Sequence, residues 1–184
     1  MDLSFNEDQQ ELRRSAQAFL EEHSSSEKVR AAMETEEGFD REVWAKIANE
    51  MGWPALPFAE EHGGYGLSVV DLVALLEETG RALLCGPFLS SVVIAGQVIE
   101  ACATSEQKQE MLPGVASGET LATLALTEAA GGWDASSVSL VAQREGEEYV
   151  LSGTKTFVPD GGVADLFLVV ARDEGSAGEE GIRV

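Results

Sequence analysis

Apolar residues recur at helical spacing along the first two-thirds of this chain and alternate along the last third. Phe5, Leu12, Ala16, Phe19 and Leu20 fall on one helical face that ends near His23. In Leu3-Ser4-Phe5-Asn6-Glu7 the spacing of Ser4 and Glu7 predicts a capping box with Ser4 as N-cap. The stretch from Ser24 to Gly38 is polar and reads as a connection with one helical turn. A second helix is predicted from Asp40, with Phe39 and Trp44 spaced as a hydrophobic staple. Trp44, Ile47, Ala48 and Met51 continue its apolar face, and Gly52 suits the residue just past its end.

Pro54, Pro57 and His62-Gly63-Gly64-Tyr65-Gly66 interrupt the period as a loop. Ser68, with Asp71 three residues on, predicts the start of a strongly apolar helix through Leu72, Val73, Leu75, Leu76 and Thr79, buried on most sides. A further apolar helix is expected from Ser91 to about Cys102. Thr104-Ser-Glu-Gln107 is another capping box, predicting a short helix to Met111, with Pro113 to Gly118 closing the segment.

From Leu121 the period becomes that of strands. Ser137 to Arg144 and Tyr149 to Ser152 flank Glu145-Gly146-Glu147-Glu148 as a hairpin, and Leu166 to Ala171 reads as one buried strand. Asp173 to Gly181 is a polar, glycine-rich loop, and Ile182-Arg183-Val184 opens another strand. Few strands with open edges do not make a stable sheet unaided. The expected organisation is an all-α domain over residues 1–118 and an incomplete antiparallel, barrel-like β-domain over 119–184.

With 44% hydrophobic and 24% charged residues, the 184-residue chain is of globular type. No apolar run reaches a membrane span, and the acidic N-terminus is not a signal peptide, so a soluble cytoplasmic protein is expected. The net charge of -21 is spread throughout, with 22 acids against 8 bases in residues 1–120 and 11 against 4 thereafter. Such a surface argues against nucleic-acid binding and favours solubility. Any phosphate-bearing ligand would need cations supplied locally or by another chain. Cys85 and Cys102 read as buried thiols. His23 and His62 have no second His or Cys at ligand spacing, so no metal site is expected.

Several segments together resemble the acyl-CoA dehydrogenase family over nearly the whole chain. Asn6-Glu7-Asp8-Gln9-Gln10 is similar to the family's opening helix, and Trp44 to Trp53, Pro57 and Glu60 to Ser68 to its next helix and glycine loop. Gln107 to Thr120 resembles the lead-in to its β-domain, and Leu126-Thr127-Glu128 its flavin-binding strand end. The resemblance implies a helical N-terminal domain, a β-barrel-like middle domain and a helical C-terminal domain, of which this chain holds the first and part of the second. It implies FAD as cofactor, acyl-CoA as substrate, and homo- or hetero-oligomers of dehydrogenase-like subunits as partners. The family's reaction removes an α proton to a carboxylate base and a β hydride to flavin, with hydrogen bonds to the thioester carbonyl stabilising the enolate. The family's base lies beyond Val184, and no catalytic residue is assigned here.

By position in the motif, Leu124, Leu126 and Thr127 resemble residues that contact the flavin ring, Gly132 allows close backbone approach, and Phe157 takes the place of an aromatic beside it. Read from the residues alone, Leu124 and Leu126 are core strand positions, Thr127 a strand-end cap and Phe157 core packing. A carboxylate pair such as Glu128 and Asp134 is more often solvated or capping than catalytic. The chain departs from the family at two points. Trp133 stands where a serine is usual, and Pro159, followed by Asp160, stands where a threonine would hydrogen-bond the flavin. Two functions are therefore expected: a component supplying one wall of a flavin and acyl-CoA site, or a non-catalytic partner subunit kept for assembly.

Overall fold

The computed structural model describes residues 4–184, so Leu3 of the first expected capping box lies outside them. Six α-helices are described: α1 (Glu7–His23), α2 (Ser26–Met33), α3 (Arg41–Asn49), α4 (Val69–Arg81), α5 (Gln97–Cys102) and α6 (Ser105–Ser117). A π-helix, Phe88–Gly96, runs directly into α5. Six strands are described: β1 (Ala122–Ala125), β2 (Val141–Glu145), β3 (Glu148–Leu151), β4 (Leu166–Val169), β5 (Ala171–Asp173) and β6 (Ile182–Arg183).

Three helix starts follow the local sequence. Asp40 accepts from the amides of Glu42 and Val43, and Ser68–Asp71 and Thr104–Gln107 are reciprocal capping boxes. The first helix differs. Its N-cap is Asn6, which exchanges side-chain and backbone hydrogen bonds with Gln9 at 2.8 and 3.0 Å, so the box lies two residues beyond Ser4 and Glu7. The polar connection after His23 holds two helical turns, because Ser25 caps Lys28 and starts α2. α6 passes through Pro113 to Ser117 and stops at Gly118, whose φ of 74° suits a glycine C-cap. The helix before it begins at Phe88 rather than Ser91 and is π-wound for nine residues.

One core joins both halves of the chain. Leu20, Phe39, Trp44, Ile47, Trp53, Phe58, Leu75, Val92, Ile99 and Leu112 pack together with Leu121 and Ala122 at β1 and Leu168 of β4. The Trp44 indole N–H donates to Gly118 O at 2.9 Å, tying α3 to the end of α6. α1 packs along α4, where buried Glu78 accepts from Arg13 at 2.8 and 3.0 Å and from Arg81 at 2.8 Å. Burial opposes the Glu78 charge, but Arg81, Gln17 and Arg13 outweigh it and hold its pKa below the usual value. α4 is buried on one side only, with Val69, Val70 and Val73 exposed. Cys85 is half-buried and Cys102 exposed, both as free thiols.

The expected single strand from Leu166 to Ala171 is two. β4 pairs parallel with β1, while β5 pairs parallel with β2 and antiparallel with β6. The apolar run changes sheets at Val170, whose amide still bonds Ala125 O at 3.1 Å. The 145–148 hairpin forms as β2–β3, giving sheet orders β1-β4 and β3-β2-β5-β6. Neither sheet closes, in keeping with an incomplete barrel.

Candidate functional site

Beyond β1 the chain runs through Leu126, Thr127 and Glu128, and there it meets the segment leading to Phe157. The Thr156 amide donates to Thr127 O at 2.8 Å. Lys155 Nζ donates to Leu126 O at 3.0 Å and to Glu128 Oε1 at 2.8 Å. Glu128 also accepts from the amides of Ser139 at 3.0 and 3.1 Å and Leu140 at 3.0 Å, and from the Ser139 hydroxyl. Burial alone would raise its pKa. Lys155, Ser139 and the backbone amides overcome that and lower it from 4.5 to about 2. Glu128 is thus a fixed anion knitting two loops together, a capping carboxylate and not a free base.

Of the sequence-predicted residues, Leu126 and Thr127 accept bonds at this junction, and Phe157 directly follows Thr156. Leu124 is half-buried against the core, opposite Leu168 on the parallel ladder. Leu126 and Thr127 are half-buried at the strand end. Phe157 is 93% exposed, which rules out core packing and leaves its ring free to face a ligand or another chain. Trp133, on the first loop, is 83% exposed. Gly132 has a φ of 100°, and a Cβ there would meet Ser137 Oγ at 2.0 Å, so the fold requires glycine before any ligand does. Asp134 accepts from the Ser136 and Ser137 hydroxyls and caps its own loop. Beside the junction lies an open groove of ≈ 470 Å³ walled by Glu128, Ala129, Ser139, Leu140 and Gly153.

Some participants carried no signal of their own in the sequence. Lys155 has its partner 27 residues away. Among the described residues, buried Arg172 has no carboxylate partner. Its guanidinium donates to Gly178 O at 2.6 Å, Ser176 O at 3.3 Å and Ala135 O at 3.4 Å, fastening the Trp133 loop to the glycine-rich turn. One carboxylate oxygen of Asp160 accepts from the buried Ser90 hydroxyl at 2.5 Å.

A flavin is a fair test of the geometry. The exposed Phe157 ring, the half-buried Leu126–Thr127 strand end and the Thr156 hydroxyl, which is buried with no partner among the described residues, suit the edge of a flat, partly polar ring. Cations for a phosphate are harder to supply. The four cations of residues 121–184 already donate inside the chain: Arg144 to Gly146 O, Lys155 to Glu128, Arg172 to three carbonyls and Arg183 to Asp173. Among the described residues no group of three His, Cys, Asp or Glu is placed to hold a metal ion, and no helix is long and apolar enough to cross a membrane.

Comparison with known proteins identifies the family. The family models "Acyl-CoA dehydrogenase, N-terminal domain" and "Acyl-CoA dehydrogenase, middle domain" match residues 6–119 and 123–184. The chain is 32% identical over 184 residues to the short-chain specific acyl-CoA dehydrogenase of Clostridium acetobutylicum, covering 99% of this chain and 48% of that one. It is 32% identical over 181 residues to the mitochondrial isobutyryl-CoA dehydrogenase of Dictyostelium discoideum, covering 98% and 43%. Among solved structures, the ChsE4–ChsE5 complex from Mycobacterium tuberculosis superposes with a TM-score of 0.82 at 32% identity, over 95% of this chain and 46% of that chain. The chain spans about half the length of the curated relatives it matches.

Proposed function

The chain belongs to the acyl-CoA dehydrogenase family, and from that premise we propose that it supplies one wall of an FAD and acyl-CoA site, completed by residues from outside 1–184. The observation that carries this reading is the junction of the Leu126–Glu128 strand end with Lys155–Phe157, fastened by the Thr156–Thr127 and Lys155–Glu128 bonds. In this reading Leu124 and Leu126 line the apolar side, Thr127 and the Thr156 hydroxyl meet a polar ring edge, and Phe157 lies against the ring face. Gly132 and Trp133 border the site on the first loop. Bound FAD would supply the two-electron acceptor for α,β-desaturation of an acyl thioester. The chain's own work is orientation and exclusion of water at that wall. Glu128 is held as an anion by four donors and is not proposed as the base that takes the α proton.

A second reading has its own support. Pro159 offers neither hydroxyl nor N–H, Asp160 is bonded to Ser90, and each of the four cations of residues 121–184 already donates within the chain. These features favour a non-catalytic subunit that preserves the fold for assembly with dehydrogenase-like partners. Exposed Val69, Val70 and Val73 on α4 and the exposed strand β3 suit association with such a subunit. Visible absorbance separates the readings. The chain should be purified alone and with candidate partner subunits, and examined at about 450 nm before and after adding an acyl-CoA. A flavin band that is lost on adding acyl-CoA, and that weakens when Phe157 is replaced by Ala, supports the wall. A complex whose flavin is indifferent to Phe157→Ala supports the assembly role.

A further inference from the structure

The segment that presents Phe157 is held in an unusual shape. Phe157 and Asp160 both sit in the left-handed region, at φ 51° and 50°, without being glycine. Such conformations persist only where the surroundings over-determine them. Two buried hydroxyls from different elements supply that constraint. Thr123 Oγ1, on β1, donates to Pro159 O at 2.6 Å. Ser90 Oγ, on the π-helix, stands 2.5 Å from Asp160 Oδ2 and 3.2 Å from Pro87 O. A hydroxyl has one proton, and the shorter contact to a carboxylate takes it. Within the segment the Gly161 amide bonds Val158 O at 3.2 Å and the Val163 amide bonds Asp160 O at 3.1 Å, closing successive turns.

The two hydroxyls are not otherwise demanded by the fold. Thr123 pairs with Phe167 through the parallel backbone ladder, where valine would serve as well, and the π-helix around Ser90 is otherwise largely apolar. Their shared consequence is that the carbonyl of Pro159 and one carboxylate oxygen of Asp160 are tethered to buried elements, while the Phe157 ring stays in solvent. We propose that Ser90 and Thr123 are positioning residues that lock the Phe157–Asp160 segment, so that an aromatic face is presented to a planar ligand before that ligand arrives. The lock stands on geometry alone; the identity of the ligand as flavin rests on the reading above.

The test uses the full chain as Thr123→Val, Thr123→Ser and Ser90→Ala, beside the parent. Hydrogen exchange of residues 158–163 is followed without added ligand, and FAD binding is then titrated by flavin fluorescence in the presence of any partner subunit. Losing one such bond corresponds to about a five-fold change. Thr123→Val and Ser90→Ala are expected to speed exchange in this segment by about that factor and to weaken FAD binding similarly. Thr123→Ser, which keeps the hydroxyl, is expected to stay near the parent in both. Unchanged exchange in both Thr123→Val and Ser90→Ala would overturn the lock. If exchange responds as expected but FAD binds none of the four proteins, the lock stands and the flavin reading fails.

Discussion

Glu128 and Lys155 form an ion pair at 2.8 Å with their side chains only 9% and 7% exposed, and through it the strand-end loop and the Phe157 segment become one unit. Two charges are retained in a poorly solvated place because each has further partners: two amides and a hydroxyl for Glu128, the Leu126 carbonyl for Lys155. Breaking such a pair from one side leaves a buried charge behind, which is costlier than the net worth of the pair.

Lys155→Met should therefore destabilise the protein by about 3–5 kcal/mol at neutral pH. The sign of the pH dependence follows from Glu128. Its folded pKa is lowered from 4.5 to about 2, so its contribution is complete above about 4.5 and is lost as pH falls toward 2. That contribution amounts to about 3 kcal/mol at most. Urea unfolding of parent and variant at pH 7 and pH 3 should show the gap narrowing in acid. A gap independent of pH would mean that the pair does not hold the junction.

Trp44→Ala should be among the costliest changes in the helical half, at about 3–5 kcal/mol, since it empties a core position between α3 and α6. Trp44→Phe separates packing from the hydrogen bond to Gly118 O. It should cost less than the alanine change but still about 1–3 kcal/mol for the orphaned carbonyl. Thermal melts of the two variants decide whether that bond matters.

How far these features could be read from the sequence depended on how local their causes are. The caps at Asp40, Ser68 and Thr104 were legible because donor and acceptor are at most three residues apart. At the first helix two boxes overlap, and nothing local distinguishes Ser4–Glu7 from Asn6–Gln9. The buried Glu78 was hidden because Arg13 lies 65 residues away. The break at Val170 was hidden because β1 and β2, not the run itself, decide where it divides. At the site, the motif drew attention to Thr127 and Phe157, and the fold bonds Thr127 O to the amide of Thr156, the residue before Phe157. Ser90 and Arg172 act from positions whose partners only the folded chain brings near.

The shared core bears on the proposed boundary at residue 118. A fragment of residues 1–118 should keep its helical circular dichroism, since its caps and most core contacts are internal. It should melt at a lower temperature than the full chain, because Leu121, Ala122 and Leu168 leave the core and Ser91 Oγ loses its bond from the Ala122 amide. Residues 119–184 alone should not fold, as the buried cluster left to them is Leu140, Ala142 and Ala171. Loss of the helical signal in the first fragment would sink this division.

The two departures from the family pattern offer the sharpest choice between a flavin wall and an assembly subunit. Trp133 lies almost wholly in solvent, so Trp133→Ser should change stability by no more than about 0.5 kcal/mol. Pro159 contributes its carbonyl to Thr123, a bond that Pro159→Thr retains while adding a hydroxyl and an amide N–H. If these two residues have weakened a flavin site, the double variant should bind FAD more tightly, by about ten- to a hundred-fold for two bonds of ~0.5–1.5 kcal/mol each. The titration belongs in the presence of the partner subunit, because the four cations of residues 121–184 already donate within the chain. Tight binding by the parent, weakened in the double variant, would instead make Trp133 and Pro159 working parts of a variant flavin site and dispose of the non-catalytic reading.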